Sequence, residues 1–204
     1  MMLAAAAVGM LIFGAAALLA VVVSEHICGR IEAFADGPPA ASPQPLLLVA
    51  VMALVGACVA VHGFAASVIA VGAVAAFALT GCWYCDLARG IVPDFFTLFP
   101  LGALGLFAAV QGEWRVLFSA AVPFVPFAAA ALVSRGRGMG WGDAKLVALG
   151  GAVLGAQASL AAFALSCFAA GVVSRFNGRR GMPIAFAPYL VIAVVGALAL
   201  GIST

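Results

Sequence analysis

Residues 46–82 read LLLVAVMALVGACVAVHGFAASVIAVGAVAAFALTGC, two apolar runs (46–61 and 63–82) that meet at His62 and Gly63 and contain no Asp, Glu, Lys or Arg. A run of that length and composition covers the roughly 30 Å of hydrocarbon in a bilayer. Two of them back to back leave no room for the polar surface of a soluble domain. The rest of the chain repeats the pattern, with further spans expected near residues 3–23, 95–111 and 116–133, each bounded by charged, Gly or Pro residues. Overall 67% of the residues are hydrophobic and 8% charged, against roughly 25% charged in ordinary globular chains. The fold class that follows is all-α: a polytopic transmembrane helical bundle in contact with the lipid bilayer.

The stretch from Ala144 to Val173 is too long for one untilted crossing, and Gly150, Gly151, Gly155 and Gln157 offer a break. Splitting it into 144–155 and 157–173, and adding a last span over 183–202, gives about eight spans; seven result if 144–173 is one helix. The whole chain, 1–204, is expected to form a single membrane domain. Its opening residues lack the basic start and cleavage site of a signal peptide and are expected to be retained. Residues 24–45, which include DGPPAASPQP, are expected to form a short cytoplasmic linker, since prolines and missing periodicity argue against a folded unit.

A net charge of +2, scattered along the chain, excludes nucleic acid as a partner, because phosphate neutralisation needs a concentrated basic face. The charges matter by position. Lys and Arg favour cytoplasmic loops, and Arg89, then Arg135, Arg137 and Lys145, then Arg175, Arg179 and Arg180 fall on one side when 144–173 is two helices. The 112–115 turn, where Glu113 and Arg115 cancel, then lies on the other side. No feature of the sequence sets an oligomeric state.

Ionisable residues beside long apolar runs are functional candidates, and two stand out. Asp86 ends the third span in CWYCDLARGIVPDFF (82–96), and Asp143 opens a later one in GRGMGWGDAKLVALGG (136–151). Both lie at the same membrane face. Paired carboxylates share a proton, and the resulting acid and base can activate water against an amide. Glycines 138, 140 and 142 let an extended peptide approach Asp143. Asp143 precedes a helix start, whose N–H groups favour an anion, whereas Asp86 follows a helix end, so the shared proton is expected on Asp86.

Intramembrane carboxylates also mark ion pathways, so a proton- or ion-coupled transporter is an alternative, as is a catalytically silent membrane scaffold. The transporter reading calls for mid-bilayer polar residues and an internal repeat, and the sequence offers neither. Asp94 reads as the N-cap of the next span, Lys145 as an interfacial anchor or a stabiliser of Asp143. Cys82 and Cys85 form a CxxC, yet two thiolates do not complete a zinc site, and recruiting His26 and Cys28 from the linker is the one way to extend it. No cofactor or metal is expected.

Taken together, DLARGIVPD (Asp86 to Asp94) and GMGWGDAKL (Gly138 to Leu146) resemble the two signatures of type IV prepilin peptidases, GxGD-type intramembrane aspartyl peptidases. The resemblance covers roughly residues 65–200. It implies Asp86 and Asp143 as the catalytic pair, with Gly140, Gly142 and Lys145 as motif partners. It implies a membrane aspartic endopeptidase that removes the short basic leader of a prepilin or pseudopilin substrate, in the bacterial inner membrane, with its active site facing the cytoplasm. Many family members carry a methyltransferase domain with two CxxC pairs after the first span. Here residues 24–45 hold only Cys28, so a short form without that activity is expected. Near the end, where the family often has PFGP, this chain reads PIAFAPYL, with Ala187 in place of glycine, a change expected to leave the aspartates untouched.

Overall fold

The structure, a computed structural model, describes residues 2–32, 44–63, 65–135, 139–176 and 186–202. Within them the chain forms eight helices and no strand: α1 (Met2–Glu32), α2 (Pro45–His62), α3 (Ala66–Arg89), α4 (Asp94–Gln111), α5 (Arg115–Val133), α6 (Trp141–Leu154), α7 (Ala156–Phe176) and α8 (Ala187–Ala199). All but α6 and α8 are long and apolar enough to cross a membrane. Large side chains such as Leu11, Phe99, Val110, Phe118 and Phe168 face outward, as a bundle solvated by lipid requires. The protein is a multi-pass membrane protein.

The 144–173 stretch is two helices. Gly155 sits between them with φ of 84°, a backbone state that side-chain-bearing residues rarely adopt, and the chain turns there without a loop. Gly151, four residues earlier, serves close packing instead, since a Cβ on it would meet the Ser119 carbonyl oxygen of α5 at 2.4 Å. Gly151 thus admits a neighbouring helix, and Gly155 breaks the helix.

Helices in lipid gain little from burying apolar surface, so close packing of backbones holds them together. Gly9 of α1 and Gly56 of α2 show this directly, since a Cβ on Gly9 would lie 2.1 Å from the Gly56 carbonyl oxygen, and one on Gly56 2.3 Å from that of Gly9. Phe13, almost wholly buried, fills the adjoining gap beside Gly72 of α3. The aspartate-bearing α6 touches α3, α4, α5, α7 and α8 and is buried along most of its length.

The expected linker over 24–45 is corrected by α1, which runs on to Glu32. Ser24, His26 and Cys28 lie within that helix, and Cys28 is buried against α3. Residues 33–43, with most of the proline-rich segment, lie outside the described residues, as do Pro183 and Gly138. The last described helix begins at Ala187, with Pro188 in the first turn, where a missing N–H costs nothing.

Three contacts fix which helix ends meet. Asp86 of α3 reaches the start of α8, Lys145 of α6 reaches the start of α4, and Gly201, beyond α8, lies against His62 at the end of α2. One end of the bundle therefore gathers both aspartates together with Arg30, Arg89, Arg135 and Arg175, whereas Arg115 lies at the other.

Candidate active site at one end of the bundle

The third span does not stop at Cys82, where the apolar run ends. The helix continues until Gly90, with φ of 67°, closes it by donating its N–H to the Asp86 carbonyl at 2.8 Å. Asp86 is thus in the last turn of α3 rather than beyond it. Its carboxyl is buried, 6% exposed, and Oδ2 accepts the N–H of Ala187, the first residue of α8, at 2.9 Å.

Asp143 likewise sits inside its helix, two residues after the start at Trp141. Oδ2 turns back to accept the Gly140 N–H at 3.3 Å, occupying one of the donors that a helix start leaves without intrahelical partners. Gly140 is the N-cap residue. Gly142 is where the turn between α3 and α4 presses against α6, and a Cβ on it would fall 2.7 Å from Val92 Cβ. The side chain of Asp143 is half-buried.

The structure brings Asp86 and Asp143 to the same end of the bundle, one at the end of α3 and the other at the start of α6, two helices in contact. The expected asymmetry between them is narrowed and not reversed: both carboxylates accept N–H groups at helix starts, Asp86 that of α8 and Asp143 that of α6, but Asp86 also lies in the last turn of α3 and is the more deeply buried of the two. The positive ends of two helix dipoles converge on the pair. Sequence reading gave Ala187 no part in the site, although its backbone N–H holds Asp86; that N–H is common to alanine and the family's glycine, so the exchange itself leaves the contact in place.

Lys145 does not reach Asp143. Residues two apart on a helix face different directions, and Lys145 Nζ pairs instead with Asp94 Oδ1 on α4. Asp94 is the first residue of α4; its N-cap is Pro93, and no side chain caps that helix start. The residue read as a cap is an ion-pair partner.

The cysteines part company. Cys85 Sγ lies 3.7 Å from Cys28 Sγ, while Cys82 points its thiol toward the Phe96 carbonyl. Among the described residues no group of three or more His, Cys, Asp or Glu side chains is placed to hold a metal ion. A cavity of about 800 Å³ lies at the opposite end, lined by His62, Val71, Leu104, Gln111, Glu113 and Leu198 among others. It is remote from the aspartates.

Comparison with known families bears on this geometry. Residues 73–174, half of the chain, match the type IV leader peptidase family. The chain belongs to that family. No curated protein and no solved structure gave a match. As a leader peptidase it is a hydrolase with a protein substrate, set in a membrane. The matched region holds Asp86, Asp94, Asp143 and Lys145, but α1, α2 and α8 lie outside it. The leader peptidase therefore takes the backbone donor to Asp86 from beyond the stretch that identifies it.

Proposed function

We propose that the chain is an aspartic endopeptidase that removes the leader of prepilin-like or pseudopilin substrates at the cytoplasmic face of a bacterial inner membrane, with Asp86 and Asp143 as its catalytic pair. The observation that carries this reading is the convergence of the two carboxyls, one from the end of α3 and one from the start of α6, at one end of the bundle, each tied to a backbone N–H. The excess of Arg and Lys at that end supports a cytoplasmic orientation.

Two carboxyls at close range hold one proton between them. The ionised one takes a proton from water as the oxygen attacks the scissile carbonyl; the protonated one gives its proton to the carbonyl oxygen. The tetrahedral diol then collapses. The C–N bond breaks, the proton gained from water goes to the departing amine, and the second carboxyl recovers its own from the diol. No electrons leave the site. The N–H groups of Ala187 and Gly140 hold each carboxyl in place during the exchange, so that little reorganisation accompanies proton transfer.

The test is co-expression with a candidate prepilin, with leader loss read by gel shift and amino-terminal sequencing. Asp86→Asn and Asp143→Asn are each expected to lower cleavage by ~10²–10⁴-fold, the scale of general acid–base catalysis, with the protein still inserted and folded. Near wild-type cleavage by either variant refutes the pair.

A further inference from the structure

Each aspartate is anchored, but neither anchor sets the distance between them. Asp86 is held by α8 and Asp143 by the residue that caps its own helix. Their separation depends on how the α3–α4 turn meets the start of α6. Two contacts at that junction involve the turn and the helix starts directly. One is apolar, Val92 against Gly142; the other is polar, Lys145 of α6 with Asp94 of α4.

The chain is stiff on both sides of this ion pair. On one side, Asp94 follows Asp86 through a turn fixed by the positive φ of Gly90 and by Pro93, and Phe96, fully buried, packs its ring where Gly81 of α3 lacks a side chain. Movement of Asp94 is thereby passed to the last turns of α3. On the other side, Lys145 and Asp143 belong to the first turns of one helix. The pair itself is solvent-accessible, with side-chain exposures of 26% for Lys145 and 62% for Asp94, and exposed ion pairs add little to stability. Its position accounts for it better than its strength does.

We infer that the Lys145–Asp94 ion pair is a positioning clamp, which ties the start of α4 to the start of α6 and thereby sets the spacing of Asp86 and Asp143. Neither residue exchanges protons with the substrate. The inference rests on the proposed catalytic pair, and it adds Asp94 to the working parts of the site as a positioning residue.

Three variants test it in the full-length protein: Asp94→Asn, Lys145→Met, and the exchange Asp94→Lys with Lys145→Asp. Cleavage of a prepilin-like peptide is measured as kcat and KM separately, with wild type and Asp86→Asn alongside. Because a displacement of about 1 Å at a reacting centre costs on the order of 10²-fold, each single variant is expected to lose about 10- to 100-fold in kcat with KM little changed. The exchange restores the pair and is expected to return kcat to within about fivefold of wild type, the coupling that a double-mutant cycle isolates. A rise in KM alone means the residues touch substrate and overturns the clamp; so does unchanged kcat in the single variants, or an exchange variant that folds but does not recover.

A second readout is independent of cleavage. Trp141, the exposed first residue of α6, is left as the only tryptophan by Trp83→Phe and Trp114→Phe. Breaking the clamp is expected to raise its quenching by iodide, and the exchange to reverse this. Unaltered quenching in Lys145→Met refutes the clamp whatever the substrate proves to be, whereas a clean quenching result with an active Asp86→Asn refutes the catalytic pair alone.

Discussion

Replacing Gly142 by alanine separates catalytic geometry from stability. The added Cβ would stand 2.7 Å from Val92 Cβ and 3.3 Å from the Val92 carbonyl oxygen, where carbon atoms normally rest about 3.5–4.0 Å apart. The shortfall is about 1 Å on that scale. Both atoms are Cβ, fixed to the backbone, so no rotamer relieves the contact; the turn carrying Val92 or the start of α6 must move. Overpacking of this kind costs about 1–3 kcal/mol, offset by the roughly 0.5–1 kcal/mol that a helix gains when alanine replaces glycine. Stability should change by no more than about 2.5 kcal/mol on those figures. Activity should change far more, because the strain falls one residue from Asp143, and a displacement of about 1 Å predicts a loss on the order of 10²-fold in kcat/KM. The assay is cleavage of a prepilin-like substrate in detergent or liposomes, paired with a thermal unfolding curve. Adding Val92→Gly, which removes the opposing Cβ, should restore much of the rate. Wild-type cleavage by Gly142→Ala would refute the steric reasoning, as would a stable double variant that stays inactive.

Ala187→Gly keeps the N–H that Asp86 accepts and should cleave nearly as well as wild type, whereas Ala187→Leu forces bulk into a fully buried position and should cost about tenfold or more in kcat. Equal activity of the two variants would refute the claim that bulk at this position displaces the donor to Asp86. Gly9→Val drives a side chain into the Gly56 carbonyl and should destabilise the α1–α2 crossing by about 1–3 kcal/mol, measured by unfolding in detergent. Gly29→Ala on the same helix, with nothing within 4 Å of the added Cβ, serves as the unaffected control.

Hydropathy marks where side chains prefer lipid, not where a backbone stops being helical, and this governs what could be read in advance. The spans, the break at Gly155 and the shared end of Asp86 and Asp143 follow from apolar run length and from counting reversals. The helix limits do not. The run ends at Cys82, but α3 continues to Arg89 because nothing before Gly90 terminates it; α1 passes its last valine and continues to Glu32 for the same reason. Those few residues decide whether an aspartate lies inside a helix or beyond it, and hence the reasoning about its charge. The contacts that complete the site were hidden for another reason. Ala187 is 101 positions from Asp86 and Lys145 is 51 from Asp94, and neither pairing leaves a local pattern. A backbone N–H donor has no sequence signal at all, since every residue but proline carries one.

The shortness of α6 bears on the electrical insulation of the membrane. The cavity at the far end reaches Ala152 and Val153 near the end of α6, and from Ala152 back to Asp143 the helix rises only ~14 Å, less than half of the roughly 30 Å of hydrocarbon. Where water enters that cavity, the voltage across the bilayer drops over this thin wall, and the field inside it is more than doubled. Along that stretch Leu146, Val147 and Leu149 are each almost completely buried. Their tight packing is what closes this thin wall to water and ions.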